Sequence, residues 1–251
     1  MSTVRVLVVA GHDSSGRAGI DADREAARDY GLATVEVVTA WTEQEGDRLH
    51  AVRARPASAW CQEARAAVET GVAACKVGLL AGADHVRALA ALLDLLAARR
   101  VPCVVDPVLS ASSGEAFLED DGIEALREVV LSRAVVLTPN VPEAARLAGA
   151  EVEHLAAHRS ARLAAAESLL ARGPTAVLLK GGHAAEDPVA DLVLLRGCPP
   201  RWHEHPRVPG PGMRGSGCRY ATAVACGLAL GREVPEAATA AGSYLFQRLS
   251  E

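Results

Sequence analysis

Apolar positions along the chain fall into two alternating patterns. Short runs rich in Val, Leu or Ala occupy 4–10, 34–39, 73–77, 103–105, 134–137 and 176–179, and longer Ala-rich segments of helical character separate them. Short continuous apolar runs suit strands buried on both faces, and helices between such strands predict a parallel sheet wrapped by helices. Helices are expected at about 18–30, 57–70, 85–99, 121–131, 142–147, 160–171, 217–230 and 235–249. Segments 189–195 and 201–205 are expected to pair antiparallel at one sheet edge. The class is α/β, with one domain over residues 1–251.

In sheets of this kind the ligand crevice lies beyond the carboxyl ends of the strands. Polar residues gather there: Asp13 after the first apolar run, Asp106 with Pro107 after the run at 103–105, Asn140 after 134–137, and Lys180 with Gly181 and Gly182 after 176–179. Gly215, Ser216, Gly217 and Cys218 open a later helix. A glycine pair at a helix start lets backbone N–H groups converge where the helix dipole favours negative charge. The four residues therefore form an anion pocket with a thiol beside it, and the same field is expected to stabilise a Cys218 thiolate as a proton acceptor. A small apolar Cys packed under a helix start is the alternative.

Composition narrows the class. A chain of 251 residues with 50% hydrophobic content can bury a full core. With 26 Lys+Arg against 31 Asp+Glu there is no basic footprint for nucleic acid or an acidic membrane surface. Six scattered cysteines without a C-x-x-C pair fit a reducing cytoplasm. The apolar run at 6–10 is too short for a signal peptide core, and Arg87 and Asp94 interrupt the apolar segment at 86–98, which falls short of a bilayer span.

Several motifs fail their own chemistry. The stretch from Gly11 to Gly16 approaches a phosphate-binding P-loop, but Arg17 and Ala18 stand where Lys and a hydroxyl residue are needed. It is expected to be a glycine turn with Asp13 or Ser14 capping the next helix. Gly210, Gly212 and Gly215 spell G-x-G-x-x-G without a following βαβ unit. Cys198, His203 and His205 lack a fourth metal ligand and suit a surface strand. Asn140 and Glu143 have capping-box spacing, which is compatible with a second role in a site.

Taken in order, A-G-H-D-S-S-G-R-A-G-I-D-A-D at 10–23, T-A-W-T-E-Q at 39–44, K-V-G-L-L at 76–80, V-D-P-V at 105–108, L-T-P-N-V-P-E-A at 137–144, L-K-G-G-H at 179–183 and G-S-G-C at 215–218 resemble the hydroxymethylpyrimidine and phosphomethylpyrimidine kinases of the ribokinase superfamily. The resemblance implies a three-layer αβα sandwich with a small lid, ATP with Mg2+ as cofactors, and phosphoryl transfer to a hydroxymethylated pyrimidine. It places Ala18, Asp23, Gln44, Leu79 and Val108 around the ring, and Cys218 at the hydroxymethyl oxygen with Gly215, Ser216 and Gly217. Asp106, Asn140, Glu143 and Lys180 fall to the nucleotide, with Asp106 and Glu143 bearing on the metal. It also implies a homodimer touching near 41–54. Pyridoxal phosphorylation and a ligand-binding paralogue without catalysis are the alternatives. The chain departs from the family pattern at Arg17, Asp21, Leu79, Ser112, 210–213, Arg214 and Arg219; Arg17, Arg214 or Arg219 is expected to replace the charge of the lysine usual at 112.

Overall fold

The computed structural model describes residues 4–45, 48–111, 114–133, 135–210 and 212–250, leaving aside the side chains of Gln44, Glu45 and Arg48. Its strands are β1 (Arg5–Asp13), β2 (Ala33–Glu45), β3 (Arg48–Ala54), β4 (Ala74–Val77), β5 (Cys103–Val105), β6 (Val136–Leu137), β7 (Ala176–Leu179), β8 (Val189–Leu195) and β9 (Arg201–His205). The helices are α1 (Gly19–Asp29), α2 (Ala57–Glu69), α3 (Ala83–Ala98), α4 (Asp120–Val129), α5 (Val141–Ala148), α6 (Val152–Ala157), α7 (Arg159–Arg172), α8 (Ser216–Ala229) and α9 (Val234–Ser250).

The strands form one sheet in the order β3-β2-β1-β4-β5-β6-β7-β8-β9. Neighbours from β2 to β7 run parallel, while β3, β8 and β9 each pair antiparallel. The apolar runs explain the centre: Val6, Leu7, Val8 and Val9 of β1 are fully buried, as alternate residues face helices on opposite sides. Leu7, Val9, Val77, Leu137 and Leu179 pack with α2 to α7, whereas Val6, Ala74, Val104, Val136 and Leu178 pack with α8 and α9. This is the three-layer αβα sandwich. Each fully buried Val or Leu contributes ~1.5–3 kcal/mol, so both covers are needed to hide both faces.

The chain leaves β1 toward β2 on one side and returns to β4 on the other, so crossovers diverge between β1 and β4. Sheets of this kind bind ligands outside the carboxyl ends of the strands at such a switch point.

Two elements escape the apolar pattern. β3 reads R-L-H-A-V-R-A, too polar for a buried run; it forms because β2 extends to Glu45 and offers it an edge, in register from Ala40 opposite Ala54 to Glu45 opposite Arg48. α6 spans six residues, too few for a visible helical period. The expected cap on α1 is also corrected. Ala18 precedes that helix without a side-chain cap, and the Asp13 carboxylate turns back to accept the Ser15 N–H at 3.1 Å and the Ser15 hydroxyl at 2.7 Å. A bridge between His12 and Gly19 folds the intervening loop and carries Asp13 away from the helix start.

Candidate active site

The amino end of α8 faces the carboxyl ends of the central strands. Gly215 caps it with φ of 75°, a left-handed conformation that glycine adopts without strain. In the first turn, a Cβ placed on Gly217 would lie 3.2 Å from Lys180 Nζ and 3.6 Å from Asp106 Oδ2. The helix start therefore opens directly onto a lysine and a carboxylate, and the space between them exists because residue 217 has no side chain.

Asp106 ends β5, where its N–H donates to Val77 O at 2.9 Å. Lys180 ends β7, anchored by its N–H to Pro139 O at 2.9 Å. Their side chains meet: Lys180 Nζ donates to Asp106 Oδ1 at 2.8 Å, and the Thr138 hydroxyl donates to the same oxygen at 3.2 Å. Asn140 bridges to Lys180 and starts α5 with a complete capping box. Its N–H donates to Glu143 Oε2 at 2.7 Å, while Asn140 Oδ1 accepts the Glu143 N–H at 2.9 Å. The capping-box reading of the Asn/Glu spacing holds, and the cap keeps Glu143 close to Lys180 and Asp106.

Burial pushes the Glu143 carboxyl up to about 7; Lys180 draws it back and the like charge of Asp106 adds to the rise. Burial works against the Lys180 charge, yet Asp106 and Glu143 outweigh it and hold the ammonium above its ordinary value.

A second charged group lies beneath the first turn of α8. Lys76 Nζ donates to both oxygens of Asp23 at 2.8 Å, and the Thr222 hydroxyl donates to Asp23 Oδ1 at 2.7 Å. Lys76 and Asp23 are both 0% exposed. Asp23, expected at the ring, is fully buried and holds Lys76 and Thr222. The expected Cys218 thiolate is corrected as well. Burial pushes the thiol above its ordinary value and Asp23 and Asp106 add to this, while Lys76 and the Gly19 N–H pull it down. Desolvation and two carboxylates outweigh the helix field.

The other residues expected around a ring are placed as follows. A Cβ on Gly11 would meet the Leu79 side chain at 3.2 Å, and the Thr39 hydroxyl fixes Leu79 O at 2.6 Å. Ala18 abuts Gly215, whose added Cβ would approach Ala18 Cα to 2.9 Å. Val108, half-buried, follows Asp106. The side chain of Gln44 and all of Ser112 lie outside the described residues.

Two of the three arginines expected to replace a lost charge, Arg214 and Arg219, are held in ion pairs within the protein. Arg214 Nε pairs with Asp13 Oδ2 at 3.2 Å. Buried Arg219 donates to Arg17 O at 3.2 Å, to Arg214 O at 3.0 Å and to Glu25 Oε2 at 2.5 Å, and Arg248 reaches the other oxygen of Glu25. Together they tie the β1–α1 loop to the start of α8.

A model of the phosphomethylpyrimidine kinase family matches residues 13–251. The chain belongs to that family. Among its relatives is the hydroxymethylpyrimidine/phosphomethylpyrimidine kinase of Streptomyces coelicolor, 40% identical over 241 residues, which cover 96% of this chain and 86% of that one. The phosphomethylpyrimidine kinase structure from Clostridium difficile superposes with a TM-score of 0.81 at 27% identity, covering 98% of this chain and 99% of that one. An ADP complex of Bacillus subtilis pyridoxal kinase superposes with a TM-score of 0.87 at 26% identity, covering 100% and 93%. As a member of this kinase family the chain is a phosphotransferase.

Three site residues went unassigned from sequence: Lys76, Thr138 and Thr222. Thr138 and Thr222 are buried hydroxyls with no spacing to mark them. Lys76 did leave a signal, because a lysine in the apolar run A-C-K-V contradicts a strand buried throughout.

Proposed function

We propose that the chain transfers the terminal phosphoryl group of ATP to hydroxymethylpyrimidine, to its monophosphate, or to both, within thiamine biosynthesis. The observation that carries this reading is the meeting of the α8 amides, Cys218, the Lys180–Asp106 pair and Glu143 at one sheet edge. Phosphoryl transfer through a loose transition state asks for positioning and neutralised charge more than for a strong base. The glycine-lined amides receive the negative charge of the phosphoryl oxygens, and Lys180 adds a positive one. Gly11, Leu79, Ala18 and Val108 give a ring an apolar seat. Cys218 takes the proton of the attacking hydroxymethyl oxygen when in its thiolate form, a fraction that grows as pH rises above neutral.

Asp106 and Glu143 suit magnesium. Two carboxylates whose mutual repulsion helps hold a proton on Glu143 leave a deficit of positive charge, and such an ion takes one or two carboxylates with its phosphates. Bound there, it would neutralise charge developing on the phosphates. The exposed Trp41 on the β2–β3 hairpin, 43% accessible, supports a homodimer contact in that region. No described helix is long and apolar enough to cross a membrane, which accords with a cytoplasmic enzyme.

The test is ADP release with hydroxymethylpyrimidine, its monophosphate and pyridoxal, using the native chain and Cys218→Ala. Turnover of a pyrimidine that falls sharply in the variant supports the reading. Preference for pyridoxal, the substrate suggested by the pyridoxal kinase likeness, would replace the ring assignment. Ring binding without turnover by the native chain would overturn catalysis and leave a ligand-binding paralogue.

A further inference from the structure

Lys76 and Asp23 have no place in a list of groups that touch ring or phosphate, yet they lie under the reacting centre. All four residues of β4 are buried, so the lysine emerges from a strand with no water on either side. Its ammonium does not stay at the strand: a Cβ on Gly78, past the end of β4, would come within 2.8 Å of Lys76 Nζ. The side chain thus reaches toward the switch point. Asp23 grips it with both oxygens, and Thr222 holds Asp23 in turn. Thr222 is four residues after Cys218 on α8, so the two share a helix face. Asp23 is four residues after Gly19, whose N–H points at the sulfur. Three elements therefore bring Lys76, Asp23 and Thr222 to the underside of Cys218.

A buried ion pair of this sort is a weak source of stability, since desolving both charges offsets most of their attraction. Its effect on the neighbouring sulfur is the more distinctive one. The charged groups acting on Cys218 are Lys76 from β4, Asp23 from α1, Asp106 after β5 and Lys180 after β7, with Glu143 of α5 acting on Asp106 and Lys180. Both lysines are paired with a carboxylate, and of the two it is Lys76 that acts more strongly on the sulfur.

We propose that Lys76 is a positioning residue for Cys218: clamped by Asp23 under the first turn of α8, its ammonium is the fixed positive charge against which the sulfur gives up its proton. This deepens the kinase reading and rests on it for its catalytic meaning. The reactivity of the thiol can be followed without turnover.

In a Cys198→Ser background, which removes the exposed cysteine while Cys61, Cys75, Cys103 and Cys226 stay buried, alkylation of Cys218 by iodoacetamide is followed by mass spectrometry across neutral to alkaline pH. Lys76→Met slows it by about 5-fold or more and moves the profile to higher pH; Asp23→Asn speeds it and moves the profile the other way. The opposite signs exclude mere loosening of the fold, which would accelerate both. Should Lys76→Met not fold, Lys76→Gln, which removes the charge and keeps a donor for Asp23, takes its place with the same expected slowing. Unchanged profiles, or two shifts of one sign, overturn the proposal. In ADP-release assays Lys76→Met lowers kcat with the ring KM within about 2-fold. A native chain that turns over no ring, but whose alkylation responds as described, would sink the kinase reading and leave the coupling standing.

Discussion

Glu143 starts a helix and acts on Lys180 and Asp106 with the same carboxyl group. Its proton is held up to about 7 chiefly by burial, against an ordinary value of 4.5. Between those values the folded chain keeps a proton that the unfolded chain has released. That proton stabilises the fold at low pH, and the contribution is lost as pH rises through about 7. Glu143→Gln copies the protonated acid and can still accept the Asn140 N–H. It should melt with the parent near pH 4 and at least about 3 °C above it near pH 8.5 without magnesium, as scanning calorimetry would show. Phosphotransfer should fall by about 100-fold or more in the same variant. Asp106, Asn140 and Lys180 stood out in the sequence because each follows an apolar run at a strand end, and Glu143 because of its capping-box spacing from Asn140. Lys76 was not, since its meaning depends on Asp23 and Thr222, which reach it from distant parts of the chain.

At the scale of elements, α8 supplies two glycines with different duties. Gly217 has ordinary helical geometry, and a methyl group there would press on the Lys180 ammonium at 3.2 Å and touch Asp106 at ordinary contact distance. Gly217→Ala should melt at or above the parent temperature, because alanine favours a helix by up to about 1 kcal/mol, while kcat/KM drops by about 100-fold or more. Gly215 has φ of 75°, and an added Cβ would approach Arg17 O to 2.6 Å. Gly215→Ala should therefore cost about 1–3 kcal/mol in a urea titration. One substitution empties the site of function without weakening the fold, and the other weakens the fold itself. The sequence marked this helix start by its glycines. It hid β3, whose existence depends on the length of its partner strand, and α6, which is shorter than its own period.

For the whole molecule, the single sheet couples two apolar layers. Leu89 on α3 belongs to one layer and Leu178 on β7 to the other, and both are essentially without solvent contact. Leu89→Ala and Leu178→Ala should each lower stability by about 2–5 kcal/mol, with one unfolding transition seen by both circular dichroism and fluorescence. The three-layer arrangement was legible because continuous apolar strands admit no wet face. The fastening of the β1–α1 loop to α8 was not, because arginines at 214 and 219 suggest ligand charge until their partners are known.

Glu25 holds Arg219 from α8 and Arg248 from α9 on its two oxygens. Exchanging Glu25 for a relative's counterpart takes from the buried Arg219 guanidinium its carboxylate partner. A chimera that imports α1 alone thus inherits an electrostatic debt at a distance from the graft, and the three positions must be transplanted as a set for the seam between loop and helix to close.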